Sequence, residues 1–146
     1  MYKYIILLHI LGATVWTGGH LILSILILPK ALKSKSVEII RNFEGPYEKI
    51  GIPALILQVL TGFYLAHNML PDISLWFSFI PGVPTFVGYK IILLLSTISL
   101  ALDARLRVIP KLNEENLSSL AWHIIPVTII SVLFVIVGVS FRTGGF

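Results

Sequence analysis

Four histidines are the residues of this chain with the clearest capacity for chemistry. They are His9, His20, His67 and His123, and each lies in or at the end of a long apolar stretch of the 146-residue sequence. Neutral imidazole is a common metal ligand, and ionisable side chains inside apolar helices are costly enough to indicate a function. The sequence has no cysteine, which excludes disulfides and thiolate metal sites.

The first two histidines share one face of a helix. His9 and His20 are 11 residues apart, which is about 20° beyond three full turns and a rise of about 16.5 Å. Gly12 and Trp16 fall on the same face, and Gly19 offers another point where a flat ligand can approach. We therefore expect Gly12, Trp16 and Gly19 to contact a cofactor.

The composition is that of a membrane protein. Hydrophobic residues make up 56% of the chain and charged residues 12%, whereas soluble domains are nearer a quarter charged. Four apolar stretches are each long enough to cross a hydrocarbon core, which takes about 20 helical residues. We predict an all-α integral membrane protein, a single domain over 1–146 that forms an antiparallel four-helix transmembrane bundle. The expected spans are about 4–28, 50–69, 86–105 and 117–140.

The distribution of lysine and arginine predicts the orientation. Eight of these residues lie in the connections 29–49 and 103–117, and the other three lie toward the opposite side of the membrane. The positive-inside rule then places both connections in the cytoplasm and both termini outside, in a multi-pass protein of the cytoplasmic (inner) membrane. The basic residues lie in connections and not on a folded basic face, so nucleic acid is excluded as a partner.

This orientation sorts the histidines by depth. His9 and His67 are expected near the outer leaflet, and His20 and His123 nearer the inner one. Two histidines facing each other across helices are what bis-histidine ligation of haem iron requires. We therefore predict metal ligation by all four, in one or two haem b sites. The alternative for each single histidine is an ordinary hydrogen-bonding contact within a bundle.

Cationic side chains are available for the haem propionates. Arg105 and Arg107 lie at the cytoplasmic end, and Lys90 lies within an otherwise apolar segment toward the outer end. The alternative is that these residues only anchor the helices at the membrane interface. Copper is a second candidate metal, for which His67 and Met69, with His9 nearby, would supply the ligands.

Several segments resemble the CopD-like (copper resistance protein D) membrane family. They are LLHILGATVWTGGHLIL (7–23), RNFEGPYEKIGIPALILQVLTG (41–62), VGYKIILLL (87–95), ARLRVIPKL (104–112), AWHIIPVTII (121–130) and FRTGG (141–145). The likeness covers most of the chain and implies a four-helix membrane fold. The family name implies copper resistance.

The helices are also distantly similar to the HemJ-type protoporphyrinogen oxidases, which are four-helix haem b proteins. That resemblance implies a haem ligand at His9, a functional lysine at Lys90 and a matching proline at Pro126. The chain departs from it at His20, His67 and His123, which that family's core motif does not require.

The leading prediction is a dihaem b transmembrane cytochrome in electron transfer, with the lipid bilayer as its surroundings. A quinone, a small oxidant or another redox protein would be its partner, and a homodimer stays open. Protoporphyrinogen oxidation and copper transport or tolerance are the alternatives. If the chain is an enzyme, it is an oxidoreductase, and no catalytic residue is identified.

Overall fold

Four long helices make up most of the computed structural model, which describes residues 1–145. They are α1 (Tyr2–Ser34), α2 (Val37–Met69), α3 (Val83–Lys111) and α4 (Leu117–Thr143). A short 3₁₀ helix, Ile73–Phe77, lies between α2 and α3. The described residues contain no strand, so the predicted all-α class is confirmed.

The outer surface of the helices is apolar. Each helix is long and apolar enough to cross a membrane, and no more than 28% of its most apolar 18-residue window is buried. Large side chains such as Leu60, Leu106 and Trp122 point away from the rest of the chain. Because soluble monomers rarely expose continuous apolar surface on this scale, the finding supports a multi-pass membrane protein.

Two prolines follow widened helical turns. In α1 the turn Leu23–Ile27 is π-helical and comes just before Pro29, and in α3 the π-helical turn Ala104–Val108 comes just before Pro110. A proline has no N–H and deprives the carbonyl four residues earlier of its partner, and a π-helical turn absorbs that loss. As a result α1 continues to Ser34, beyond the end expected at about residue 28.

The connection between the first two helices is much shorter than the apolar stretches indicate. Only Lys35 and Ser36 separate α1 from α2, and Lys35 has a left-handed φ of 52°. Pro46 and Pro53 both lie inside α2, which begins at Val37, well before the span expected from about residue 50. The difference arises because hydropathy locates the apolar part of a helix, while the helix itself continues into polar residues.

The helices pack in a definite order. Helix α1 packs against α2 and α4, and α3 packs against α4. Within residues 1–145, α2 and α3 do not pack closely along their length. They are linked at one end by the Glu48–Arg105 ion pair and at the other by Trp76 of the 3₁₀ helix, which stacks on Phe63. Trp76 is buried, so it holds the loop onto the helices.

The largest cluster of buried apolar side chains joins all four helices at one end of the molecule. This is the end that carries the α1–α2 turn and the α3–α4 loop. Its members are Leu23, Leu28, Ala31, Ile40, Val108, Leu117, Leu120 and Ile124. Four further buried apolar residues, Trp16, Trp76, Val87 and Val127, lie outside this cluster, as do the two histidines of α1.

Candidate functional site

His9 is held by a chain of hydrogen bonds that joins α1 to α2. Its Nδ1 lies 2.9 Å from the Thr61 hydroxyl oxygen, and that hydroxyl donates to the Leu57 carbonyl at 2.6 Å. Because the hydroxyl hydrogen is already used, the Thr61 oxygen must accept from the Nδ1–H of His9. The neutral ring then carries its lone pair on Nε2.

The His9 ring lies beside Gly62 and within electrostatic range of Lys90. The ring packs against Gly62, where a Cβ atom would lie 3.2 Å from its Cε1. The Lys90 ammonium is within electrostatic range of His9. It also lies 3.4 Å from the position of a Cβ at Gly138 and 5.7 Å from the Phe141 ring centre. Lys90 thus packs against α4 at Gly138 and Phe141, within electrostatic range of His9.

Gly12 allows α1 and α2 to approach closely beside His9. A Cβ at Gly12 would lie 3.0 Å from the Ala54 carbonyl oxygen and 3.3 Å from the Cβ of Gln58. Gln58 carries the one side-chain oxygen that is buried without a hydrogen-bond partner in the part of the chain described. An acceptor without a donor therefore lies at this helix contact, one turn of α2 from Thr61.

His20 is buried and is held by its own helix. Its Nδ1 lies 2.9 Å from the carbonyl oxygen of Trp16, and the two rings are 4.3 Å apart between centres. A carbonyl oxygen only accepts, so Nδ1 must carry the hydrogen and the lone pair of the neutral ring is again on Nε2. Both histidines of α1 therefore have the same ring nitrogen available as a ligand.

Tyr47 completes the surroundings of His20, and the sequence reasoning did not identify it. Its hydroxyl donates to the Trp16 carbonyl at 3.1 Å and lies 3.4 Å from the Nδ1 of His20. A Cβ at Gly19 would overlap the Tyr47 ring, and one at Gly51 would lie 2.9 Å from it. The space that Gly19 was expected to leave for a flat ligand is filled by this ring. In the sequence, this contact is indicated by a tyrosine four residues before a glycine, in the segment that forms the neighbouring helix.

His123 has acceptors at both ring nitrogens. Its Nδ1 lies 3.0 Å from the Ser119 carbonyl oxygen, and its Nε2 lies 2.7 Å from Oδ2 of Asp103. The other carboxylate oxygen of Asp103 pairs with Arg107 at 2.9 Å. A hydrogen must therefore lie between His123 and Asp103, and His123 can bind a metal only after it releases the carboxylate.

The predicted outer pair is offset along the helices. His9 lies at the level of Gly62 on α2, whereas His67 is exposed near the end of that helix. The five residues from Gly62 to His67 correspond to a rise of roughly 7.5 Å. His9 hydrogen-bonds to Thr61 and, in the part of the chain described, not to His67 or Met69.

The predicted inner pair has a similar offset. The hydroxyl of Thr128 on α4 donates to the His20 carbonyl at 3.2 Å, so these two residues are level. His123 lies five residues earlier on α4, a rise of roughly 7.5 Å. Its ring contacts Asp103 of α3, and among residues 1–145 no hydrogen bond joins it to His20.

The arginines predicted to bind propionates are engaged with carboxylates. Arg105 pairs with Glu48 at 2.7 Å, and Arg107 pairs with Asp103. Both arginine side chains are largely exposed, so each retains N–H donors for a further anion. Among the residues that the structure describes, no group of three or more histidine, aspartate or glutamate side chains could hold a metal ion.

Comparison with protein-family models, curated proteins and solved structures finds no match to this chain. The resemblances to the CopD-like and HemJ-type families therefore stay predictions. What the residues themselves present is two buried or half-buried histidines on one helix, each oriented through Nδ1, and a lysine near one of them.

Proposed function

We propose that this chain is a membrane haem b protein in which His9 and His20 would each hold the iron of a separate haem. The observation that carries the proposal is the shared use of Nδ1. In both residues Nδ1–H is engaged by a protein acceptor, which leaves the Nε2 lone pair for iron. Metal-binding histidines are commonly oriented in this way, because the hydrogen bond fixes the tautomer and the ring direction.

Two sites follow from the spacing of the two histidines. The rise of about 16.5 Å between them is far longer than the span of one iron centre. His67 and His123 would supply the second histidine at the sites of His9 and His20, respectively. His67 would have to close the offset to His9, and His123 would in addition have to leave Asp103.

The residues present fit haem most closely around His9 and His20, where the Nε2 lone pairs are available. When bound, haem b supplies a one-electron carrier. Around it, Thr61 and the Trp16 carbonyl orient the two rings, and Tyr47 limits the space beside His20. A quinone or a small oxidant is the proposed electron partner.

We further propose that the helices form an antiparallel bundle in the cytoplasmic membrane with both termini outside. Contacts between α1 and α2 support the direction, because His9 meets Thr61 whereas Gly19 meets Tyr47. Contacts between α3 and α4 run the same way, since Lys90 lies near Phe141 and Asp103 near His123. The proposed sidedness rests on the excess of basic residues at the α1–α2 and α3–α4 ends.

The visible spectrum of the purified protein, with and without dithionite, tests the haem proposal. We expect a Soret band and sharp reduced α-bands typical of six-coordinate haem b. His9→Ala and His20→Ala should each remove roughly half of the haem, and the double variant should remove it all. Gln58→Ala, which changes a polar side chain of the same interior without removing a proposed ligand, is the matched control. Colourless protein from a haem-replete host would refute the proposal, and bound copper would favour the copper alternative.

Protoporphyrinogen oxidation is the second candidate, and the proximity of Lys90 to His9 is the observation that favours it. An ammonium in an apolar region can hold a substrate carboxylate near a haem ligand. Under this alternative Lys90→Ala should fail to restore haem synthesis in an oxidase-deficient host, while Lys3→Ala should restore it. If Lys90→Ala restores growth as well as the unchanged protein, Lys90 does not anchor a substrate.

A further inference from the structure

A cleft of about 460 Å³ opens where α3 ends and α4 begins. It contains two cations, Arg107 and Lys111, against the single carboxylate of Asp103, before His123 is counted. The complete lining is Asp103, Arg107, Val108, Lys111, Asn116, Ser119 and His123. A cleft with more positive than negative side chains and with amide and hydroxyl groups is chemically suited to an anion.

The carboxylate of Asp103 offsets one of the two positive charges, so with His123 neutral the cleft keeps one net positive charge. Oδ1 accepts from Arg107 at 2.9 Å, and Oδ2 lies 2.7 Å from His123. The Arg107 side chain is 80% exposed, and a guanidinium has five N–H donors, so most of them stay available. Asp103 thus positions Arg107 at the cleft.

Exposed apolar side chains come immediately before two of the cleft residues in the sequence. Leu106 is 71% exposed and Trp122 is 77% exposed. Leu106 precedes Arg107 on α3, and Trp122 precedes His123 on α4. A tryptophan at this position is typical of the boundary between headgroups and hydrocarbon. The cations and the exposed apolar residues therefore lie together at the end of the bundle.

We propose that this cleft binds the phosphate group of an anionic phospholipid. Arg107 and Lys111 contact the phosphate, and the acyl chains lie along Leu106 and Trp122. Basic pockets between transmembrane helices on the cytoplasmic side bind such headgroups through the same chemistry. This inference rests on the membrane insertion in the proposed function. The cleft shares His123 with the proposed haem site of His20, and the variants that test it leave His123 unchanged.

Thermal unfolding of the full-length protein in detergent, titrated with added lipid, tests the proposal. Phosphatidylglycerol should raise the midpoint temperature in a saturable manner, whereas phosphatidylcholine should raise it less at every concentration. Both cations are neutralised in the variant Arg107→Gln with Lys111→Gln. The phosphatidylglycerol concentration that gives half of the maximal response should rise roughly thirtyfold, since each cation near an anionic lipid contributes on the order of 1 kcal/mol to binding.

The control carries the same change of charge at the opposite end of the chain. Lys3→Gln with Arg142→Gln should keep the response to phosphatidylglycerol. The proposal is overturned if this control loses the response equally, if phosphatidylcholine acts as strongly, or if inorganic phosphate alone reproduces the effect. The last result would identify a free-phosphate site.

Failure of this inference is distinguishable from failure of the haem proposal. The lipid response is measured by unfolding on protein purified with and without haem, and haem binding is measured by the visible spectrum. A lipid response in colourless protein would support the cleft and refute the haem sites. A haem spectrum without a lipid response would support the haem sites and refute the cleft.

Discussion

A histidine inside an apolar helix has two ring nitrogens to satisfy, and the partner of one determines what the other can do. At His20 the partner is a carbonyl of its own helix, and at His9 it is a threonine of the next helix. Each partner accepts from Nδ1–H and leaves Nε2 with its lone pair. His123 differs, because Asp103 also occupies its Nε2. The four histidines are therefore not equivalent as ligands.

Replacing Thr61 with valine tests the orientation of His9. Valine keeps the shape of threonine and removes the acceptor for Nδ1–H, so we expect haem affinity at this site to fall roughly tenfold. The measurement is haem titration of the haem-free protein, followed by its Soret band. Thr97→Val is the matched control, because Thr97 is equally buried and its hydroxyl donates only to the Leu93 carbonyl. Equal losses in the two variants would mean that Thr61 has no special role.

Close approach of α1 and α2 depends on small residues at defined positions. Along α1, Gly12 meets the backbone of Ala54, and Gly19 meets the ring of Tyr47. Van der Waals packing of this kind stabilises helix pairs in membranes, where lipid offers no hydrophobic driving force. The two glycines therefore allow α1 and α2 to approach closely, and this role does not depend on a ligand.

Adjacent glycines allow this packing to be tested within one turn. Gly19→Ala should destabilise the protein by about 1–3 kcal/mol, because the new methyl group overlaps the Tyr47 ring. Gly18→Ala meets nothing within 4 Å and should be neutral or stabilising by up to about 1 kcal/mol. Unfolding in mixed detergent micelles measures both. Adding Tyr47→Leu to Gly19→Ala should recover part of the loss, and no recovery would contradict the contact.

At the scale of the whole molecule, the arrangement of helices leaves most apolar residues facing outward and a compact apolar cluster at one end. The cluster joins all four helices at the end with the two short connections. Along their length, α2 and α3 do not pack closely. The proposed site of His9 lies away from the lipid cleft, whereas the proposed site of His20 shares His123 with that cleft.

Single cysteines can test the proposed sidedness, since the chain has no cysteine of its own. Lys33→Cys and Glu114→Cys lie at the two basic connections, α1–α2 and α3–α4, and Asp72→Cys lies in the α2–α3 loop. In intact cells a membrane-impermeant maleimide should label only Asp72→Cys, because the other two face the cytoplasm. All three should be labelled once the membrane is permeabilised. Labelling of Lys33→Cys in intact cells would reverse the orientation.

The sequence by itself determined the number and type of the long elements. Four apolar stretches predicted four helices, because the hydropathy of a segment depends only on the residues of that segment. The ends were less predictable: α1 continues past Pro29, and α2 begins before the apolar residues do. The shared face of His9 and His20 was also predictable, because it depends only on helical periodicity.

Only the tertiary structure decided which groups those histidines meet. Thr61 is 52 residues from His9 along the chain, and Tyr47 is 27 residues from His20. Asp103, which holds His123, lies on a different helix from it. Such contacts depend on the rotation, tilt and relative height of packed helices. Those quantities are set by side chains fitting together across the whole bundle, and periodicity within one helix does not contain them.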